Sequence, residues 1–232
     1  MSRWTTGLAR LARDVVDFAL PQRCAGCGVP CEPPMPLCAA CLGAIPRLSL
    51  ELCARCLARG REPVGCLAHP AFAVRAAWVY DERVERVVHA LKYDGRVRLA
   101  GLLGEELARA AGPAHGIDLV TEVPLHPARR RERGYNQSAL LAECLAGAIG
   151  APWVPAVLER VRPTAAQARL DPRARRRNVA GAFRVRRPEW LNERSIVIVD
   201  DVVTTGATLE ACLAALAGAG ARPSAVTLAW AQ

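Results

Sequence analysis

Two groups of residues in this sequence carry side chains that can do chemistry. The first is a set of paired cysteines: eight of the ten fall between Cys24 and Cys66, seven of them in "CAGC" (24–27), "CAAC" (38–41), "CARC" (53–56) and "CLAH" (66–69). A C-x2-C pair presents two sulfurs from one tight turn, and two such turns complete a tetrahedron around Zn²⁺. Taken in chain order, Cys24, Cys27, Cys38 and Cys41 make one site, and Cys53, Cys56, Cys66 and His69 a second that depends on a single histidine. Four protein ligands leave no open position, so the expected role is structural. Cys31 stands outside any knuckle, and Cys144 and Cys212 lie in helical apolar patterns as small core residues.

The second group is "IVIVDDVVTTGATLEAC" (196–212), where an aliphatic run meets two adjacent aspartates and a Thr/Gly/Ala string before a helical pattern. Thr204 to Thr208 turn into the helix, where free N–H groups and the helix dipole favour an anion such as phosphate. Thr204, Thr205 and Thr208 add hydroxyls, while Gly206 and Ala207 allow close backbone approach. Asp200 and Asp201 beside such a cradle would repel an anion unless they bond hydroxyls or a cation. A sugar phosphate with vicinal hydroxyls, accompanied by Mg²⁺, satisfies all parts of the string. The motif is neither a Walker loop, which ends in Gly-Lys-Ser/Thr, nor a dinucleotide fingerprint, which needs three spaced glycines.

The elements that must hold these residues are legible after about Pro70. Strand-like segments at 73–80, 118–123, 195–199 and 224–230 alternate with helical patterns at 84–93, 97–111, 136–150 and 208–220. That alternation predicts an α/β fold with a parallel sheet covered on both faces. Ligands of such sheets bind beyond the carboxyl ends of the strands, which is where Asp200 and Asp201 fall.

Composition bounds the partners. The formal charge is +9, and the stretch from Arg129 to Arg187 holds fourteen Arg against four Asp and Glu, so the basicity is local and calls for an anionic partner there. No apolar run is long enough to span a bilayer. Residues 1–22 read as an amphipathic helix, with Trp4, Leu8, Leu11, Val15 and Phe18 at helical spacing and charges that break any signal-peptide core. A cytoplasmic location is expected, with reduced thiols as metal ligands.

The string "VIVDDVVTTGAT" resembles the phosphoribosyl diphosphate (PRPP) motif of type I phosphoribosyltransferases. Together with "HALKYDGRVRLAGLL", "VPLHPARRRERGYNQS", "RVRPTAAQARLDPRARRRNVAGAF" and the leading cysteine pairs, it resembles the ComF family (ComFC and GntX-like proteins) from about Cys24 to the end. The resemblance implies a type I phosphoribosyltransferase-like sheet over 71–232, a double zinc ribbon over 23–70 and a flexible loop at about 160–183. It further implies that Asp200 and Asp201 hold the ribose hydroxyls while Thr204 to Thr208 hold the 5-phosphate. Pro124 and Leu125 of "VPLHP" would take the pyrophosphate with Arg129, Arg131 and Arg133, and Thr164, Gln167, Arg175 and Asn178 would contact it from the loop. Lys92 and Tyr93 of "LKYDG" have two readings: a solvated helix end with a packing ring, or part of the site. His126 is either a pyrophosphate donor or a plain loop residue; Tyr135 reads as packing, and Asn136 and Gln137 as site residues or a helix cap.

Two functions compete. One is phosphoribosyl transfer from PRPP with Mg²⁺. Its acceptor is unspecified, because Thr204 stands where 6-oxopurine enzymes carry the Asp proposed as general base, and no hood for a nucleobase follows Gln232. The other, implied by ComFC proteins, is the handling of single-stranded DNA in uptake for natural transformation, alongside other uptake proteins. An Arg-rich groove suits a phosphate backbone.

Overall fold

The computed structural model describes residues 22–31, 35–113, 115–162, 179 and 181–232. The proposed N-terminal helix (1–22) lies outside the described residues except for Gln22, as do Thr164, Gln167, Arg175 and Asn178.

Seven strands form two sheets among the described residues: β1 (Glu51–Cys53), β2 (Ala73–Val79), β3 (Leu119–Glu122), β6 (Ser195–Val203) and β7 (Arg222–Trp230) in the main sheet, β4 (Leu158–Arg160) and β5 (Phe183–Val185) in a small ribbon. The main sheet runs β1-β2-β7-β6-β3. Its last four strands pair parallel, and β1 joins β2 antiparallel. This is the α/β, mostly parallel sheet that the alternation predicts.

Consecutive residues of β6 supply opposite faces, as a period-2 strand must. Val197 and Val199 join a core with α3 (Glu82–Tyr93), α4 (Leu99–Ala111) and α6 (Gln137–Ile149). Ile196 and Ile198 join the other core, under α7 (Ala207–Gly218). The remaining helices are short: α1 (Ala39–Ala44) and α2 (Ala54–Ala58) in the cysteine-rich segment, and α5 (Pro127–Arg133).

The cysteine-rich segment is divided between those two faces. Cys24, Leu37, Cys41 and Ile45 are buried with the α3–α4–α6 core, whereas Leu52, Cys53, Cys56 and Phe72 are buried with the α7 core. β1 carries its chain into the main sheet, with Glu51 opposite Arg75 and Cys53 opposite Ala73. Nearby, the buried Glu106 accepts from Arg47, Arg109 and the Trp78 indole, pinning the incoming segment across β2.

The helices nearest the strand ends start where side chains cap them. Asp81 accepts from the N–H groups of Arg83 and Val84 at 2.9 and 2.8 Å, so α3 opens at Glu82 and ends at Tyr93, carrying Lys92 in its last turn. Asn136 caps α6 through Ser138 N–H at 3.1 Å and reaches back to the Val123 carbonyl at 3.1 Å, tying the helix start to the end of β3.

Helices α4 and α6 cross in near-contact at Gly104, where an added Cβ would lie 2.5 Å from Cys144 Cβ. Gly104→Ala should therefore cost about 1–3 kcal/mol of stability by overpacking. Gly101→Ala in the same helix meets nothing within 4 Å, and should stabilise by up to about 1 kcal/mol on propensity alone. Urea unfolding of the two variants checks both signs.

Candidate functional site

β6 runs through both aspartates to Val203, longer than the 195–199 run, because Asp200 and Val202 still pair with Thr227 and Ala229 of β7. The carboxylates thus project from regular strand, on opposite faces in principle, and the neighbouring helices converge on both. Lys92 Nζ donates to Asp201 Oδ1 at 2.8 Å, and Gln137 Nε2 donates to Asp201 Oδ2 at 2.6 Å. Ser138 Oγ donates to Asp200 Oδ1 at 2.9 Å, as does the Asp201 N–H at 2.9 Å. Lys92 is no solvated helix-end charge: it makes a largely buried ion pair, and the carboxylate beside it holds its pKa up against burial.

The electrostatics of the pair follow from crowding. Burial, and next the charge of Asp201, push the Asp200 carboxyl up to about 7, against the opposing pull of Lys92 and the hydrogen bonds it accepts. Asp201 is thus charge-paired with Lys92, while burial and Asp201 together hold the Asp200 carboxyl above the usual carboxylate range.

A cavity of about 340 Å³ opens over this pair, lined by Lys92, Tyr93, Pro124, Leu125, His126, Arg129, Arg133, Gln137, Ser138 and Thr208 among others. The segment "VPLHPARRRERG" is more than a loop: Pro127–Arg133 form α5, with Pro127 at its first turn, His126 Nδ1 capping Ala128 N–H at 3.3 Å and Gly134 closing it at φ 83°. The helical turn sends Arg129 and Arg133 to the cavity over the aspartates. Arg131 lines a second cavity of about 560 Å³ with Arg130, Arg160 and Arg186. Arg133 donates to Gln137 and lies 4.9 Å over the Tyr93 ring, and the Tyr135 hydroxyl donates to the Leu91 carbonyl.

The cradle residues are arranged behind this opening. Gly206 takes φ 70° as the residue before α7, with no side chain capping the helix, and Glu210 N–H bonds its carbonyl at 2.7 Å. Thr208 lines the cavity; Gly206 and Ala207 are buried, and Thr204 is exposed. Gln137 and Ser138, which contact the carboxylates directly, are the site residues least visible in the sequence. Their signal is only the "NQS" that opens a helix.

The cysteines gather as the spacing requires. Cys24, Cys27, Cys38 and Cys41 form one group and Cys53, Cys56, Cys66 and His69 another, each with all ligand atoms within 4.8 Å of one another. The Cys27–Cys38 and Cys56–Cys66 sulfurs are 3.9 and 3.6 Å apart, and His69 Nδ1 lies 3.3 to 3.7 Å from Cys66, Cys53 and Cys56. A tetrahedral ion with bonds of ~2.3 Å separates its sulfurs by ~3.8 Å, so both groups fit Zn²⁺. In the first, N–H groups of Gly26 and Cys38 point at Cys24 Sγ at 3.3 Å, bonds that favour a thiolate. Against burial, which raises it, these and the Cys27 N–H bring the Cys24 thiol down to about 6, while burial and then the adjoining thiols push Cys56 up to about 12. Sulfurs packed this closely ionise together only around a cation.

Against known proteins, the chain is 37% identical over 185 residues to DNA utilization protein YhgH of Salmonella typhimurium, covering 75% of this chain and 80% of that one. The same coverage holds at 35% identity for YhgH of Escherichia coli strain K12. Competence protein F of Haemophilus influenzae is 32% identical over 138 residues, 56% of this chain and 60% of its own. The chain belongs to the ComF family. No protein-family profile matches it. Among solved structures, adenine phosphoribosyltransferase from Thermoanaerobacter pseudethanolicus is similar at 17% identity and a TM-score of 0.37, covering 59% of this chain and 82% of that one. Among the described residues of this chain, no helix is long and apolar enough to cross a membrane.

Two outcomes are expected. Zinc analysis of the purified chain gives about two ions per chain, and His69→Ala lowers it to about one. For Asp200, a folded pKa above the unfolded one means that its contribution favours folding at low pH and is lost as pH rises from about 4 to about 7. Asp200→Asn keeps the Oδ1 acceptor and removes that loss. It should be more stable than the parent at pH 8, by on the order of 1 kcal/mol, with the difference shrinking toward pH 4 in thermal melts.

Proposed function

We propose that this chain binds PRPP and transfers its phosphoribosyl group to a nucleophile. The observation that carries the reading is the Asp200–Asp201 pair at the carboxyl end of β6, compensated by Lys92 and facing a cavity that also holds Arg129 and Arg133. Carboxylate oxygens accept hydrogen bonds from vicinal ribose hydroxyls, and the start of α7, where the N-cap Gly206 brings no side chain of its own, offers amides to the 5-phosphate together with Thr204, Thr205 and Thr208.

With the ribose so held, the C1–O bond to pyrophosphate breaks and its electron pair leaves with the pyrophosphate. Positive charge grows at C1 until the nucleophile's lone pair closes the new bond. Arg129 and Arg133 stabilise the charge gathering on the leaving group, beside the backbone of Pro124 and Leu125. Lys92 and Gln137 hold Asp201 in place, so the ribose meets a preformed acceptor. Mg²⁺ would enter with the diphosphate and share its negative charge. Thr164, Gln167, Arg175 and Asn178 complete the proposal as contacts from the segment outside the described residues.

A second reading, the handling of single-stranded DNA, is favoured by the names of the relatives, DNA utilization protein and Competence protein F. Arg130, Arg131 and Arg186 line the second cavity, which shares Pro124, Leu125 and Asn136 with the first, so a phosphate backbone could continue from a phosphoribosyl end.

PRPP with Mg²⁺ should raise the melting temperature by mass action, and Asp200→Asn combined with Asp201→Asn should abolish the rise. No shift at millimolar PRPP removes the ligand assignment. For the DNA reading, Arg130→Ala with Arg131→Ala should weaken oligonucleotide binding and flatten its log–log salt slope by about 1.4, two phosphates' worth. An unchanged slope places DNA elsewhere.

A further inference from the structure

The second cysteine knuckle and the proposed phosphate cradle share an interface tighter than any side chain allows. A Cβ on Gly206 would lie 2.7 Å from the Ala54 carbonyl oxygen and 2.9 Å from Leu57 Cβ. Ala54 and Leu57 belong to α2, a five-residue helix that follows Cys53 and contains Cys56. So short a helix is marginal alone, and two of the four ligands of the second group anchor it, Cys53 as its N-cap and Cys56 at its middle. The other two lead directly to a second support: His69 precedes the 3-10 turn Pro70–Phe72, and Phe72 is buried beneath α7 in the same core. Arg55 of α2 stacks on Phe72 at 3.6 Å and, with Arg59, pairs with Glu210 in the first turn of α7 at 3.5 and 3.8 Å.

The first knuckle supports a different part of the site. Arg86 of α3 donates to the Gly26 carbonyl and Arg96 to the Arg23 carbonyl, so this knuckle braces the helix that ends in Lys92. Among the described residues, the sulfur hydrogen bonds of Cys24, Cys27, Cys38 and Cys41 stay within their own segment.

We infer that metal in the second knuckle controls the phosphate cradle: the Cys53–Cys56–Cys66–His69 ion holds α2 against Gly206, and without it the 204–210 turn loses its backing and its ligand. This rests on the two sites read above, and makes Ala54, Leu57 and Arg55 positioning residues for the cradle. Because coupling between two sites is reciprocal, the cradle must also stabilise the metal.

The test compares the full, zinc-loaded chain with Cys66→Ser and Cys38→Ser by hydrogen exchange and zinc content. Cys66→Ser should speed exchange at residues 204–210 at least about tenfold, within the usual range of coupling, while Cys38→Ser, which empties the first knuckle, leaves those amides as they were. Equal protection in all three proteins overturns the inference, as does equal loss in both variants. Should Cys66→Ser not fold, Gly206→Ala supplies the reciprocal arm: zinc should leave its second knuckle faster when challenged with a chromogenic chelator, and an unchanged release rate overturns the inference. Neither arm needs PRPP. Added Mg–PRPP slowing zinc release from the parent chain supports the inference and the ligand reading together; zinc-dependent protection without any PRPP effect upholds the strut and removes only the ligand.

Discussion

The fold around the site depends on how two adjacent carboxylates are tolerated at the end of a buried strand. Burying one ionised group is costly and burying two side by side is costlier, so the surroundings must supply a cation and donors. Lys92 Nζ and Gln137 Nε2, at 2.8 and 2.6 Å from Asp201, and Ser138 Oγ, at 2.9 Å from Asp200, are that supply. Each comes from a helix on the α3–α4–α6 side, which fixes where α3 must end and where α6 must begin. The caps at Asp81 and Asn136 set those boundaries. Asp200 accepts from neutral donors, Ser138 Oγ and the Asp201 N–H, and burial and Asp201 raise its carboxyl to about 7.

The opposite side of the same strand end is built from backbone. Gly206 at φ 70° presents the start of α7, and α2 lies too close to admit even a methyl group. The cysteine-rich segment is thus divided between the two halves of the site, one knuckle in each core. This division explains why a segment with few core-forming side chains sits in the middle of an α/β chain's packing: its thiols and the short helices between them fill the positions that larger apolar residues would otherwise take.

Much of this was legible from the residues. Period and caps placed four of the seven described strands and the long helices to within a few residues, and C-x2-C spacing grouped the ligands, because both are local rules; β1, β4 and β5, three residues each, are too short to carry a period. The long-range partners were not. Lys92 read equally as a solvated helix end, since nothing near it in sequence marks Asp201, 109 residues away, as its partner. Asn136 and Gln137 read either as site residues or as a helix cap; Asn136 is the cap, Gln137 reaches Asp201, and nothing local in the sequence marks Ser138 as a partner of Asp200. Helix α5 was hidden because four arginines and no buried residue give no periodic apolar signal; its arginines divide between two cavities only once the turn is made. The extension of β6 to Val203 likewise follows from β7 continuing beside it.

The central claim is that the paired aspartates and the α7 start hold a phosphoribosyl diphosphate. Isothermal titration calorimetry of Mg–PRPP into the zinc-loaded chain tests it most directly, with ribose 5-phosphate and inorganic pyrophosphate as separate titrants. The account predicts binding near one per chain for PRPP, with both fragments competing for the same site and binding more weakly. Heats no greater than dilution for all three ligands, or PRPP binding that Lys92→Met and Asp201→Asn leave untouched, would contradict it.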